Sequence, residues 1–525
     1  MFYENKIWFA NTEDGSRIGM LPQMANRHGL VAGATGTGKT VTLKILAETF
    51  SEMGVPVFMA DVKGDIAGIM KAGEDNEDMQ KRIERFGLAD KNFKYQGYPV
   101  TFWDIYGENG IPLRTTISEM GPLLLARILD LNELQSDILS IVFKIADDND
   151  LLLIDTKDLK AMLNYVSANN KEFAALYGKM SPVSIAAILR AVVALEVAGG
   201  DKFFGETAID VKDWFTTGSE GKGMITILDS ESLINNGRLY STFLLWMLSE
   251  LFETLPEVGD LDKPKMVFFF DEAHLLFKGA PQALLDKIEQ VVKLIRSKGV
   301  GVYFCTQNPR DIPDSVLAQL GNKIQHGLRA YTPSDQKAVK AAAQSFRENP
   351  AFDTYEAILN LGTAEAVVSV LDEDGIPTVA EKVFILPPQS RMGSISESER
   401  QSAIKGSVLY TKYAEYHDPD SAYEFLMRKG LEDEAAAEKA REEAEAEKQR
   451  AKEEAAAEKA RAKEEAAAER QKKRTAKTIG NSVVGTVGRE VGKTVGGKFG
   501  RFGKLLGGNL GASLGRGILS TLFKL

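Results

Sequence analysis

Short continuous apolar runs alternate with stretches of helical periodicity through most of this chain. His28 to Ala32 reads as a short buried strand, and Val41 to Phe50, one loop later, carries apolar residues at helical spacing. Val55 to Ala60 and Val100 to Asp104 read as further buried strands. From Ile117 to Ala198 the pattern turns helical, as over Pro122 to Leu131, Gln135 to Ala146 and Ser184 to Val197. Strand patterns resume at Gly223 to Asp229, Lys265 to Phe270, Gly299 to Thr306 and Asn322 to Ala330, with helices expected over Leu239 to Leu255 and Pro281 to Ser297. Thr363 to Val370 and Thr378 to Leu386 read as a hairpin around Glu373-Asp374-Gly375, and Pro387-Pro388 closes the body. Unbroken apolar strands alternating with helices predict an α/β fold with a mostly parallel central sheet, interrupted by a helical insertion.

The loop between the first strand and its helix carries the strongest chemistry. Gly33-Ala34-Thr35-Gly36-Thr37-Gly38-Lys39-Thr40 fits the phosphate-binding pattern G-x-x-x-x-G-K-[ST] at every fixed position. Its glycines let backbone N–H groups turn inward around an anion, and the helix start adds partial positive charge. In that pattern Lys39 reaches the β- and γ-phosphates of a nucleotide, and the Thr40 hydroxyl goes to Mg²⁺. The competing reading is a glycine turn that happens to precede a helix.

The apolar run Met266 to Phe270 ends in Asp271-Glu272, which puts two carboxylates at a strand tip. Downstream of a phosphate loop, Asp271 is expected to hold Mg²⁺ through its water shell, and Glu272 to orient or deprotonate an attacking water. Gln307 closes the following strand, where it could touch a γ-phosphate, the water or a turn. The segment Asp61-Val62-Lys63-Gly64-Asp65 at the second strand's end either lines the ligand crevice or forms a solvated loop. His274 is open between a supporting and a purely structural role, and Cys305 reads as a buried core thiol.

Composition narrows the class. The chain has 525 residues and 44% hydrophobic content, enough for a sizeable core with appendages. The lone cysteine leaves no internal disulfide framework, which fits a reducing, cytoplasmic compartment. Neither a secretory pattern nor a membrane-length apolar run is evident in the body. Net charge is −10, distributed as −17 over residues 1–433, zero over 434–474 and +7 over 475–525. An acidic body argues against general nucleic-acid adhesion, so DNA contact would need a local basic surface such as a pore lining.

Residues 440–472 form three units of 11 residues whose Glu447–Arg450, Glu458–Arg461 and Glu469–Lys472 pairs stand three apart. Alanine supplies the only apolar positions, so a solvated single helix is expected rather than a strong coiled coil. In the tail, glycine recurs every three or four residues from Gly485 to Gly515, each preceded by Val, Phe or Leu. That pattern suits attachment to anionic membranes or self-association through 480–525, against a disordered tail.

With the phosphate loop, the Asp271-Glu272 strand, Gln307 and Arg329 in this order, the chain resembles the HerA/FtsK group of P-loop motor ATPases. It is most similar to the YjgR-type proteins with a HerA-like helicase domain. The segments His28 to Thr40, Phe268 to His274, Thr306 to Pro309 and Gln325 to Ala330 carry the resemblance, which covers roughly 5–395. It implies a RecA-like sheet, ATP and Mg²⁺ as cofactors and a homo-hexameric ring, with DNA as the leading polymer moved through it and protein as the alternative. It also implies an arginine supplied by a neighbouring subunit, with Arg329 the candidate and Arg310 and Arg296 its rivals. HerA-type motors carry a β-barrel before the phosphate loop that recruits a nuclease; only 32 residues precede Gly33 here, which argues against a nuclease partner.

The expected organisation is a P-loop NTPase core over 1–116 and 199–395, a helical insertion over 117–198, a helical extension over 396–433, a charged helix over 434–474 and a basic glycine-rich tail over 475–525. The leading expectation is an ATP-hydrolysing ring motor. The alternative is an ATP-gated scaffold held to a membrane or partner by its tail.

Overall fold

Thirteen strands join in one sheet among the residues described by the computed structural model, which are 1–91, 93–218, 220–278 and 282–476. In chain order the strands are β1 Phe2–Tyr3, β2 Lys6–Thr12, β3 Arg17–Met20, β4 Gly29–Ala32, β5 Val57–Asp61, β6 Val100–Asp104, β7 Ile111–Pro112, β8 Ile225–Asp229, β9 Met266–Phe270, β10 Val300–Thr306, β11 Asn322–His326, β12 Glu365–Ser369 and β13 Glu381–Ile385. The sheet runs β1-β2-β13-β12-β11-β4-β10-β9-β5-β8-β6-β7, with β3 paired to β2. From β11 to β7 every pairing is parallel. The other flank, β12, β13, β2, β1 and β3, is antiparallel. The α/β architecture with a mostly parallel central sheet is therefore present.

The strands β4, β5, β8, β9 and β10 are buried along their whole length, as strands covered on both faces must be. Aromatic rings fill the space behind them. Phe58 lies 5.3 Å from Phe268 and 5.1 Å from Trp214, centroid to centroid. The last strands form the expected hairpin, with Gly375 at φ +75° in its connection.

The sheet order matters more for the site than its size. β10 lies between the phosphate-loop strand β4 and the carboxylate strand β9. Its Thr306 sits opposite Ala32 of β4, while its Phe304 sits opposite Phe270 of β9. That register brings the carboxyl ends of these three central strands together, where parallel sheets place ligand crevices. The sequence pattern left residues 1–28 unassigned, yet β2 completes the antiparallel flank by pairing Ala10 with Ile385.

The chain divides into two compact units. The first comprises Met1–Ser136, Ile154–Thr156 and Ala191–Pro419 and contains every strand. The second comprises Asp137–Leu153, Lys157–Arg190 and Asp420–Leu525. Within it, Asp158 accepts hydrogen bonds from the Ser421 hydroxyl at 2.6 Å and the Tyr423 amide at 2.8 Å. Helices occupy Ile117–Ile128, Glu133–Asp148, Thr156–Ala168, Asn170–Tyr177 and Pro182–Val197, where the sequence pattern is helical.

One helix, Ala422–Ala476, runs 55 residues, about 80 Å at the α-helical rise. It passes without a break through the point near 433 where the sequence changes character. Residues 438–465 are exposed on every side, as a repeat with only alanine for apolar positions requires. The glycine-rich tail reading falls on residues 477–525, which lie outside the described residues. Among the described residues no single helix is long and apolar enough to cross a membrane.

Candidate nucleotide-phosphate site

β4 ends at Ala32, the loop spans Gly33 to Gly38, and the helix Lys39–Glu52 begins at once. Neighbouring segments pin this loop. The Gly33 amide donates to Thr306 O at 3.2 Å, the Ala34 amide to Gly327 O at 2.9 Å, and Thr37 O accepts from the Ala364 amide at 2.9 Å. Two glycines are needed for close approach as well as conformation. At Gly33 a Cβ would stand 2.5 Å from the Cβ of His326, and at Gly38, with φ +111°, it would meet the Ala364 backbone at 3.0 Å.

Lys39 Nζ donates to its own loop carbonyls, Gly33 O at 2.6 Å and Ala34 O at 3.1 Å. Burial pulls its pKa down from the usual lysine range, and the Asp271 charge opposes that shift. The Thr40 hydroxyl donates to Asp65 Oδ2 at 3.3 Å. These groups line a cavity of about 370 Å³ together with Thr35, Gly38, Lys63, Asp271, Thr363 and Met392.

At the tip of β9, burial first and the neighbouring Glu272 second push the Asp271 carboxyl up to about 6. The Glu272 amide donates to Asp271 Oδ1 at 2.9 Å, and the Tyr240 hydroxyl donates to Asp271 O at 2.8 Å. Glu272 itself is buried and sits at φ +49°, a left-handed conformation uncommon for a side chain of this type. Its Oε1 accepts from Gln307 Nε2 at 3.0 Å. Its Oε2 has no hydrogen-bond partner among the described residues, although His274 Nδ1 lies 3.2 Å away, out of hydrogen-bond alignment. Gln307 then accepts from the Thr35 hydroxyl at 3.4 Å. A continuous chain of contacts thus runs from the phosphate loop through the β10 tip to the buried carboxylate of the β9 tip.

The oxygen donors of Thr40, Asp271 and Asp65 suit a hard divalent cation. No group of three His, Cys, Asp or Glu side chains forms a metal cage among the described residues. A cation here would be completed by phosphate oxygens and water, which is how Mg²⁺ is usually held.

The expected site residues separate clearly. Gly33, Ala34, Thr35, Gly36, Thr37, Gly38, Lys39, Thr40, Asp271, Glu272 and Gln307 follow the carboxyl ends of the neighbouring central strands β4, β9 and β10. Arg329 does not join them: it is exposed, and its Nη1 donates to Leu359 O at 3.1 Å. Arg310 is exposed too, and Arg296 stands 3.7 Å from Asp260. Of the Asp61 to Asp65 stretch, Lys63 and Asp65 face the cavity, whereas Asp61 accepts from its own loop amides, Lys63 N at 3.3 Å and Ile66 N at 3.1 Å. Burial raises Asp61 to about 6. Thr363 and Met392 went unread in the sequence because nothing local marks them; they arrive from the loops flanking the last hairpin.

A phosphate loop opening a helix directly after β4, with an acidic strand tip one parallel strand away, is the arrangement of a P-loop NTPase. The model of the family described as "Helicase HerA-like C-terminal" matches residues 6–512, and the chain belongs to that family. A probable helicase of Methanocaldococcus jannaschii is 30% identical over 146 residues, 27% of this chain and 26% of the relative. The DNA double-strand break repair helicase HerA of Sulfurisphaera tokodaii is 22% identical over 65% of this chain and 62% of its own length. The chain thus spans between about a quarter and three-fifths of the curated relatives named here. The solved structure of VirB4 of Thermoanaerobacter pseudethanolicus covers 74% of this chain and 97% of its own, at 14% identity and a TM-score of 0.47.

Proposed function

We propose that this chain is an ATP-hydrolysing motor subunit that works as a ring and moves DNA. The observation that carries the hydrolytic part is the contact chain Thr35–Gln307–Glu272 beside the Lys39 and Thr40 cavity. Loop amides and Lys39 would hold the terminal phosphates, and Lys39 must leave its carbonyl partners to do so. Bound Mg²⁺ would neutralise charge building on the phosphoryl group. Glu272 would take the proton of the attacking water, and Gln307 would hold both that carboxylate and the phosphate loop in register. Arg329, exposed on its own chain, would exchange its contact with Leu359 O for a neighbouring subunit's nucleotide. Membership of a helicase family supports DNA as the polymer.

Phosphate release with no polymer, with duplex DNA and with single-stranded DNA tests this reading. Stimulation by either DNA is expected, together with nucleotide-dependent rings in sedimentation. Hydrolysis indifferent to every nucleic acid would instead favour a nucleotide-gated scaffold. The long helix Ala422–Ala476, exposed over 438–465, supports that second reading, since it supplies no residue to the lining of the phosphate cavity.

A further inference from the structure

A second cavity, of about 710 Å³, lies beyond the phosphate site in the same compact unit. The helices Ile117–Ile128, Gly237–Thr254 and His274–Phe277 contribute to it. Arg127, Arg238 and Lys278 line it, opposed by one carboxylate, Asp130. The size falls within the range of small-ligand sites, and three cations against one acid set its preference for an anion.

The arginines are held differently. Arg238 Nη1 pairs with Asp130 Oδ2 at 3.0 Å near the surface. Arg127 lies deeper: its Nη2 donates to Ser241 Oγ at 2.8 Å and Leu276 O at 3.3 Å. Its Nη1 is buried and has no hydrogen-bond partner among the described residues. A buried guanidinium nitrogen without an acceptor costs free energy that an incoming oxyanion would recover. Burial and the neighbouring Arg238 charge pull the Arg127 pKa down to about 10, the direction expected of cations held together without enough anion. A guanidinium fork beside a second arginine and a lysine matches the several non-bridging oxygens of a phosphate group better than a lone carboxylate.

We propose that this cavity is a second phosphate-recognition site, separate from the phosphate loop, for either a mononucleotide or the backbone phosphate of a nucleic acid. The connections from it lead to the hydrolytic pair. Ser241, which Arg127 holds, follows Tyr240, whose hydroxyl grips Asp271 O. Leu276, the other Arg127 partner, lies in the short helix just after Glu272. An anion drawing on Arg127 therefore acts on both supports of the β9 tip; this coupling, unlike the site itself, rests on the hydrolytic reading above.

The test uses full-length protein and a double variant, Arg238→Glu with Lys278→Glu, which reverses the rim charge while leaving the deeper Arg127 in place. Two probes are titrated: a non-hydrolysable ATP analogue and a short fluorescein-labelled oligothymidylate. The wild-type chain is expected to bind one of them at a class of sites additional to the phosphate loop, weakened at least about tenfold in the double variant by loss of charged contacts. A second class for the analogue identifies a mononucleotide, and one for the oligonucleotide identifies a polymer backbone. Identical titrations in the two proteins, with circular dichroism and the phosphate-loop class intact, overturn the site. An Arg127→Lys chain, which keeps the charge and loses the fork, should weaken the same class if it folds; the surface pair decides the matter if it does not. Phosphate release from the same samples is read separately. A chain that shows the second class but never hydrolyses ATP sinks the motor reading and leaves this site standing.

Discussion

Gln307 Nε2 donates to Glu272 Oε1 at 3.0 Å, joining two strand tips whose residues are 35 positions apart in sequence. The bond occupies one oxygen of the buried carboxylate and leaves the other without a hydrogen-bond partner among the described residues. That bond positions the carboxylate, as the proposed role of Glu272 as general base requires.

Replacing Glu272 by Gln keeps the shape and removes the base. Hydrolysis should fall by about 10²–10⁴-fold while nucleotide binding persists. Gln307→Ala should lower kcat less, with little change in nucleotide affinity, because it removes a positioning bond. Phosphate release and equilibrium binding measured on each variant decide both, and an unchanged rate in Glu272→Gln would falsify its assignment.

Arg329 lies outside its own chain's site, so the proposed action of Arg329 on a neighbouring subunit can be tested separately from that of Lys39. Lys39→Ala alone should lose nucleotide affinity, since it removes the cation of the phosphate loop. Subunits carrying Arg329→Ala mixed with subunits carrying Lys39→Ala should recover part of the activity that each lacks, because some interfaces then pair an intact loop with an intact arginine. Full-rate hydrolysis by a dilute monomeric species would rule out a shared site.

The helix that follows the phosphate loop is latched to the segment after the last strand. Buried Glu48 accepts from the Gln389 amide at 2.9 Å, the Ser390 amide at 3.0 Å and the Ser390 hydroxyl, while Lys44 Nζ donates to Arg391 O. Met392, at the end of this latch, lines the phosphate cavity. Glu48→Ala strands two buried amides and the Ser390 hydroxyl, so a loss of about 3–5 kcal/mol is expected in urea unfolding. At temperatures where the variant stays folded, its KM for ATP should rise more than its kcat changes. A wild-type unfolding midpoint would show that the latch carries no weight.

Buried His326 touches Thr42 Oγ1 at 2.9 Å through Nε2 and Glu365 O at 2.9 Å through Nδ1. Burial lowers its pKa from 6.5 to about 4. A base depressed in the folded state contributes stability above its unfolded pKa and forfeits it as pH falls. The loss runs from about pH 6.5 towards 4 and reaches about 3 kcal/mol at the acid end. Unfolding of wild type and His326→Asn compared across this window isolates the group from other titrations. The wild-type advantage should be largest near neutrality and shrink towards pH 4; a constant difference would contradict the buried neutral form.

The sequence alone determined the phosphate loop, since all its requirements fall within eight consecutive residues: glycines where the backbone approaches an anion, then Lys39 and Thr40 at the helix start. It also marked Asp271 and Glu272, because an unbroken apolar strand ending in two carboxylates is a local contrast. The strands and helices of the parallel core were legible for the same reason, their periodicity being set by near neighbours. Tertiary structure alone decided which strand stands between β4 and β9, and therefore that Gln307 meets Glu272 and Thr35. It separated Lys63 and Asp65, which face the cavity, from Asp61, which turns to its own loop amides. It also brought in β2, Thr363 and Met392, whose positions depend on pairings and latches made across hundreds of residues. Local chemistry writes a phosphate loop into consecutive residues, but a buried carboxylate's partners are chosen by sheet order, which no short stretch encodes.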